Sequence, residues 1–114
     1  MSLTCNLQDK KGVTILELSG RLKFGEDCDT FNQQIKDLLD VNKNKIILNL
    51  EEVSFCDSSG LGCLITALKS TRDRGGDLKL LSPSQEVQDL LGLTKLSAAF
   101  HTYTTEDEAL ASFK

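Results

Sequence analysis

The sequence predicts an α/β fold, a single domain over residues 1–114 in which strands alternate with helices and helical crossovers build a parallel part of the sheet. Three observations carry that prediction. The run Ile46-Ile47-Leu48-Asn49-Leu50 reads as a buried strand, and the Asp57-Ser58-Ser59-Gly60 after it is trailed by Leu61, Leu64, Ile65 and Leu68 at helical spacing. Before this stretch lie two strand-like runs around a turn, and after it periods of two and of 3.6 keep exchanging. With 114 residues, 39% of them hydrophobic, the chain has the size of one domain and material for a modest core.

Each element follows from local pattern. Leu3, Cys5 and Leu7 alternate with Thr4 and Asn6, the period of a half-buried strand, and Asp9-Lys10-Lys11-Gly12 supplies a turn. Residues 13–18 are apolar on both parities except at Thr14 and Glu17, so this second strand is expected deeper in the sheet. The pattern then breaks over residues 19–25. Over residues 26–42, Cys28, Phe31, Ile35, Leu38 and Leu39 share one helical face, with Glu26, Asp27 and Asp29 in the first turn where the helix dipole favours acids.

The central strand follows, and then a helix from Ser58 to Arg74 that Gly75-Gly76 should stop. Residues 78–81 form a short apolar strand. In Ser82-Pro83-Ser84-Gln85 a serine, a proline at the first helical position and a glutamine at the third spell a capping box for a two-turn helix ending at Gly92. Residues 100–103 suit a last strand. Thr105 and Glu108 form another capping box, whose helix docks through Ala109, Leu110 and Phe113.

Composition narrows the function. A net charge of −4 and a pI near 4.9 argue against nucleic acid and anionic membranes, and favour a partner protein with a basic patch. No apolar run approaches the roughly 18 residues of a membrane span, and the N-terminus lacks the basic-then-apolar order of a signal peptide, so a cytoplasmic protein is expected. Cys5, Cys28, Cys56 and Cys63 form no C-x-x-C pair, and three of them fall at positions that the apolar pattern buries. Reduced, buried thiols are therefore expected, with no metal and no cofactor. The lone His101 reads as a surface or strand-end residue.

The turn Asp57-Ser58-Ser59-Gly60 admits three readings. A helix N-terminus leaves backbone N–H groups unpaired and carries the positive end of the dipole, so it seats anions well. In the plainest reading Asp57 or Ser58 only caps the helix, worth about 1 kcal/mol. In the second a serine is a nucleophile at a strand-to-helix elbow, but Cys56 stands where G-x-S-x-G needs glycine and His101 is the one candidate base. In the third a serine accepts a phosphoryl group, which writes a charge of about −1.5 to −2 onto the surface for a partner to read.

The residues V53-S-F-C-D-S-S-G-L-G62, after the strand I46-I-L-N-L50, resemble a STAS domain of the anti-sigma-factor-antagonist type. The resemblance continues through R74-G-G76, L78-K-L-L81 and V87-Q-D-L-L-G-L-T-K-L96, nearly the whole chain. It implies a mixed sheet of four to five strands packed against about four helices, and a non-enzymatic phospho-switch. In such antagonists the first serine after the aspartate is phosphorylated by an anti-sigma factor that is also a serine kinase of the histidine-kinase-like ATPase fold. The unphosphorylated form binds that kinase and frees the sigma factor, and a PP2C-type phosphatase resets the system. By position the acceptor is Ser58, with Ser59 its neighbour, and the implied partner surface comprises Lys23, Asp57, Ser58, Ser59, Gly60 and Leu61. Relatives commonly carry Asp after the Gly-x-Leu that ends the second strand; here Gly20-Arg21-Leu22 is followed by Lys23, which could pair with a phosphate on Ser58. The alternative use of the same fold is as a scaffold in signalling or transport assemblies, with Ser58 only a cap.

Overall fold

Strand β1 (Thr4–Lys10) turns back onto β2 (Val13–Leu22) through Lys11 and Gly12, both at positive φ (54° and 80°), the backbone that two-residue hairpin turns demand. The computed structural model describes residues 3–95 and 97–113; Leu96, the last residue of the 87–96 segment, lies outside them. Helix α1 (Glu26–Asp40) leads to β3 (Lys45–Cys56), α2 (Ser58–Asp73) to β4 (Asp77–Leu81), and α3 (Gln85–Thr94) with a 3₁₀ turn (Ser97–Ala99) to β5 (Thr102–Tyr103). Helix α4 (Glu106–Ala111) follows.

The strands lie in the order β1-β2-β3-β4-β5; the hairpin is antiparallel and every later pair is parallel. Successive parallel crossovers of one hand that step in one direction place their helices on one face of a sheet. The main core accordingly joins Phe31 and Ile35 of α1, Leu64 and Leu68 of α2 and Val87 of α3 to Leu16, Leu48 and Leu80 of the strands. Helix α4 covers part of the opposite face, where Ala109 and Leu110 meet Val13, Ile15, Ile47 and Leu81. Central strands covered on both faces explain why residues 13–18 are apolar on both parities.

The C-terminal half of β3 departs from strict alternation. Its pairing with β2 slips between Glu17 and Ser19 and again between Gly20 and Arg21. Each slip inserts one residue into β3, so its core-facing positions run Leu50, Val53, Cys56, three apart rather than two. Phe55 and Ser54 are thereby left exposed. β4 pairs with β3 only from Lys45 to Asn49, so β2 and β3 continue past it with α3 against β3. That extension carries the Ser58 turn.

Several local expectations change. β2 does not end at Leu18: ladder bonds to β3 hold residues 19–22 extended. The first turn shrinks to Lys11 and Gly12. The capping box at Ser82 does not form, because Ser82 sits at φ 49° with its hydroxyl donating to the Thr104 carbonyl at 3.2 Å. α3 instead starts at Gln85 behind Ser84, which makes no side-chain cap bond, and runs past Gly92 to Thr94. At Thr105 the expected cap forms, its hydroxyl accepting the Glu108 N–H at 3.2 Å.

Candidate functional site

Asp57 is the N-cap of α2, and its carboxylate holds two elements together. One oxygen, Oδ1, accepts the Gly60 N–H at 2.7 Å; the other, Oδ2, accepts the Phe24 N–H at 3.1 Å from the β2–α1 loop. The Asp57 carbonyl takes the Leu61 N–H at 3.0 Å. Gly60 and Leu61 being supplied, the N–H groups of Ser58 and Ser59 are the orphan donors of the first turn.

Gly60 is required by the approach of α2 to β2: a Cβ there would stand 2.2 Å from the Leu22 carbonyl oxygen and 3.0 Å from Cys56 Sγ. Close contact at Gly60 lifts Ser58 clear. Ser58 is exposed and Ser59 half-buried, and neither hydroxyl makes a hydrogen bond among the described residues. Beneath them the Cys28 thiol donates to the Ser59 carbonyl at 3.6 Å. Burial pushes the Cys28 and Cys56 thiols up to about 12, with the Cys63 thiol beside Cys28 and the Asp57 charge beside Cys56 adding to it. At neutral pH both are protonated and poor nucleophiles. All four cysteines are free; Cys28 and Cys56 are buried, whereas Cys5 and Cys63 are only half-buried, one fewer buried than the pattern suggested.

The residues singled out from the sequence come together only in part. Leu22 pairs with Cys56, and the Asp57 N–H donates to the Leu22 carbonyl at 3.4 Å, so the backbone at Lys23 lies beside the Ser58 turn. Lys23 is half-buried and forms no ion pair among the described residues. Leu61 departs from expectation: at 3% exposure it belongs to the core, and Gly60 is buried too, so neither offers a side chain to a partner. His101 is exposed beside β5, and its carbonyl accepts the Leu80 N–H. Leu80 is level with Leu48, two strands from His101's side of the sheet and roughly 25 Å of strand short of Ser58. A Ser58–His101 nucleophile pair is not assembled.

Sequence reasoning missed the two aromatics of this end. Phe24 is 80% exposed and Phe55 45%. The one available signal was a phenylalanine set between Lys23 and Gly25 in a segment without apolar periodicity.

A groove of about 330 Å³ between α1 and α2 has an apolar floor of Ile35, Leu39 and Ala67 and lies farther along α2, from Thr66 to Arg74. Its cations Lys36 and Arg74 both engage Asp40, at 2.7 and 3.7 Å. Among the described residues no cluster of His, Cys, Asp and Glu is arranged to hold a metal, and no helix is long and apolar enough to cross a membrane.

The STAS domain family matches residues 4–109. An anti-sigma F factor antagonist of Paenibacillus polymyxa is 28% identical over 115 residues, covering 100% of this chain and 97% of its own length. Among solved structures, a candidate anti-sigma factor antagonist of Thermotoga maritima superposes with a TM-score of 0.88 at 32% identity, over 96% of this chain and 93% of that one. The Bacillus cell fate determinant SpoIIAA in its phosphorylated form shares the fold, with a TM-score of 0.74 at 23% identity over 97% and 100% of the two chains.

Proposed function

Because the chain belongs to the STAS domain family of anti-sigma factor antagonists, we propose that it is a protein-binding switch set by phosphorylation of Ser58. The unmodified protein binds an anti-sigma factor that is also a serine kinase, and phosphorylation releases it. The observation that carries this reading is the Ser58 hydroxyl itself, exposed and without a hydrogen bond among the described residues, at the first turn of a helix whose cap is supplied by its neighbour Asp57. A serine that served only as a cap would be spending its hydroxyl on the helix.

The chemistry asks little of this chain. Ser58 Oγ attacks the γ-phosphorus of ATP, the bond to the β–γ bridging oxygen breaks, ADP leaves, and the serine proton passes to a base of the kinase. Nucleotide, magnesium and base all belong to the partner, and a PP2C-type phosphatase hydrolyses the ester. The orphan N–H groups of α2 stabilise the phosphate in the free protein. Against a partner packed closely on the unmodified serine, the same dianion must shed its water and find room where a hydroxyl stood, at a cost of several kcal/mol. Since about 1.4 kcal/mol is tenfold in affinity, part of that cost releases a micromolar complex.

Intact-mass measurement after incubation with ATP and the anti-sigma kinase encoded alongside the protein tests the reading. One added phosphoryl group, abolished by Ser58→Ala, is expected. Ser58→Ala should keep binding the kinase and Ser58→Asp should bind at least about tenfold more weakly. No phosphoprotein, either there or in protein isolated from its native cell, would leave the scaffold use of the fold in its place.

A further inference from the structure

The fold hides its aromatic side chains with one local exception. Phe31 and Phe100 are buried and Tyr103 and Phe113 half-buried, while Phe24 and Phe55 are the exposed ones, and both adjoin Asp57. Phe55 lies two residues before it, and Phe24 is tied to it by the 3.1 Å hydrogen bond to Oδ2. Single exposed apolar residues are ordinary on protein surfaces. Aliphatic examples stand elsewhere here, at Leu7, Val41 and Leu93. What separates Phe24 is that the backbone carrying an exposed ring is held in place: its N–H is bonded, and Gly25 after it turns the chain at φ 99° into α1.

We propose that Phe24, fixed beside Ser58 by the Asp57 carboxylate, is the apolar anchor that inserts into a socket on the anti-sigma factor. The inference rests on the function proposed above and divides the contact in two. Phe24 supplies the affinity and Ser58 supplies the control. Binding energy in interfaces concentrates in a few large side chains that enter pockets, and a loop whose backbone is already fixed loses less entropy on docking. Phe55 is a second exposed ring at this end, on β3 two residues before Asp57. The socket should be rimmed by cations, because Glu26 and Asp29 are exposed in the first turn of α1, directly after the anchor.

The test uses the full chain and the anti-sigma factor encoded in the same genome, with affinity read by titration calorimetry for wild type, Phe24→Ala, Phe24→Leu, Leu93→Ala and Ser58→Asp. Melting temperatures of all five are recorded to show that each is folded. Phe24→Ala is expected to weaken binding about tenfold to a hundredfold, Phe24→Leu to recover part of the loss, and Leu93→Ala to bind as wild type. Wild-type affinity for Phe24→Ala, with Ser58→Asp still releasing the partner, would overturn the anchor and leave the switch standing. A weakened Phe24→Ala beside an unaffected Ser58→Asp would support the anchor and remove the switch. A wild-type protein that does not bind the anti-sigma factor would remove both.

Discussion

Asp57 serves α2 with one oxygen and the Phe24 loop with the other, and this separates it from an ordinary helix cap. Asn caps helices about as well as Asp, so a purely capping role predicts little effect of Asp57→Asn. The carboxamide, however, has one acceptor oxygen and turns an NH₂ group toward the second N–H. Asp57→Asn should therefore cost about 1 kcal/mol in urea unfolding and speed hydrogen exchange of the Phe24 amide. Lys23 gives a second prediction. Its backbone lies beside the turn and its four-carbon stem reaches several ångströms, and we propose that its ammonium pairs with the phosphate proposed on Ser58. Lys23→Asp should slow phosphorylation or destabilise the phosphorylated form more at low salt than at moderate salt, as kinase assays and melting curves of that form can establish. At this scale the sequence was legible where a residue's chemistry is local. The motif marked Asp57 and Ser58, but the resemblance also put Leu61 on the partner surface, and the helical spacing it shares with Leu64 and Leu68 is what buries it. Phe24 was marked only by its place between Lys23 and Gly25, outside any apolar period.

Among the elements, α2 depends on contact at its first turn. Gly60→Ala would gain up to about 1 kcal/mol of intrinsic helix propensity. Its methyl, though, would meet the Leu22 carbonyl at 2.2 Å, and backbone cannot move aside as a flexible side chain does. Overpacking of about 1–3 kcal/mol should win, giving a net loss in urea unfolding and a displaced Ser58 turn, visible as weaker partner binding. Strands and helices with a clean period were readable from the sequence, including the hairpin and the three crossover helices. The end of β2 was not, because Ser19-Gly20-Arg21 has the composition of a turn and is held as strand by bulged pairing with residues far along the chain. The start of α3 was obscured by Ser82, whose hydroxyl goes to Thr104 rather than into a cap. Tertiary hydrogen bonds overrode local preference in both places.

The whole molecule carries its buried thiols as a pH-linked contribution. In the unfolded chain a cysteine loses its proton near pH 8.5, whereas burial keeps Cys28 and Cys56 protonated toward about 12. Between those limits the folded state binds more protons than the unfolded one, so stability falls as pH rises through that window. Urea midpoints measured from pH 8 to 10.5 should fall less steeply for Cys56→Ser, which has no thiol to titrate there, than for wild type. The two sides of the sheet also make the chain ends unequal as points of attachment. The Leu3 N–H donates to buried Asp27 at 3.1 Å, three residues beyond Phe24, so whatever is joined ahead of Leu3 starts beside the Ser58 surface. Helix α4 rests over Val13 and Ile15, at the opposite end of β2 from Leu22, with Glu106 bonded to Lys10 at 2.6 Å. A dye, a surface tether or a carrier protein joined after α4 therefore stands roughly 25 Å of strand away from Ser58, and leaves the whole approach to that serine open.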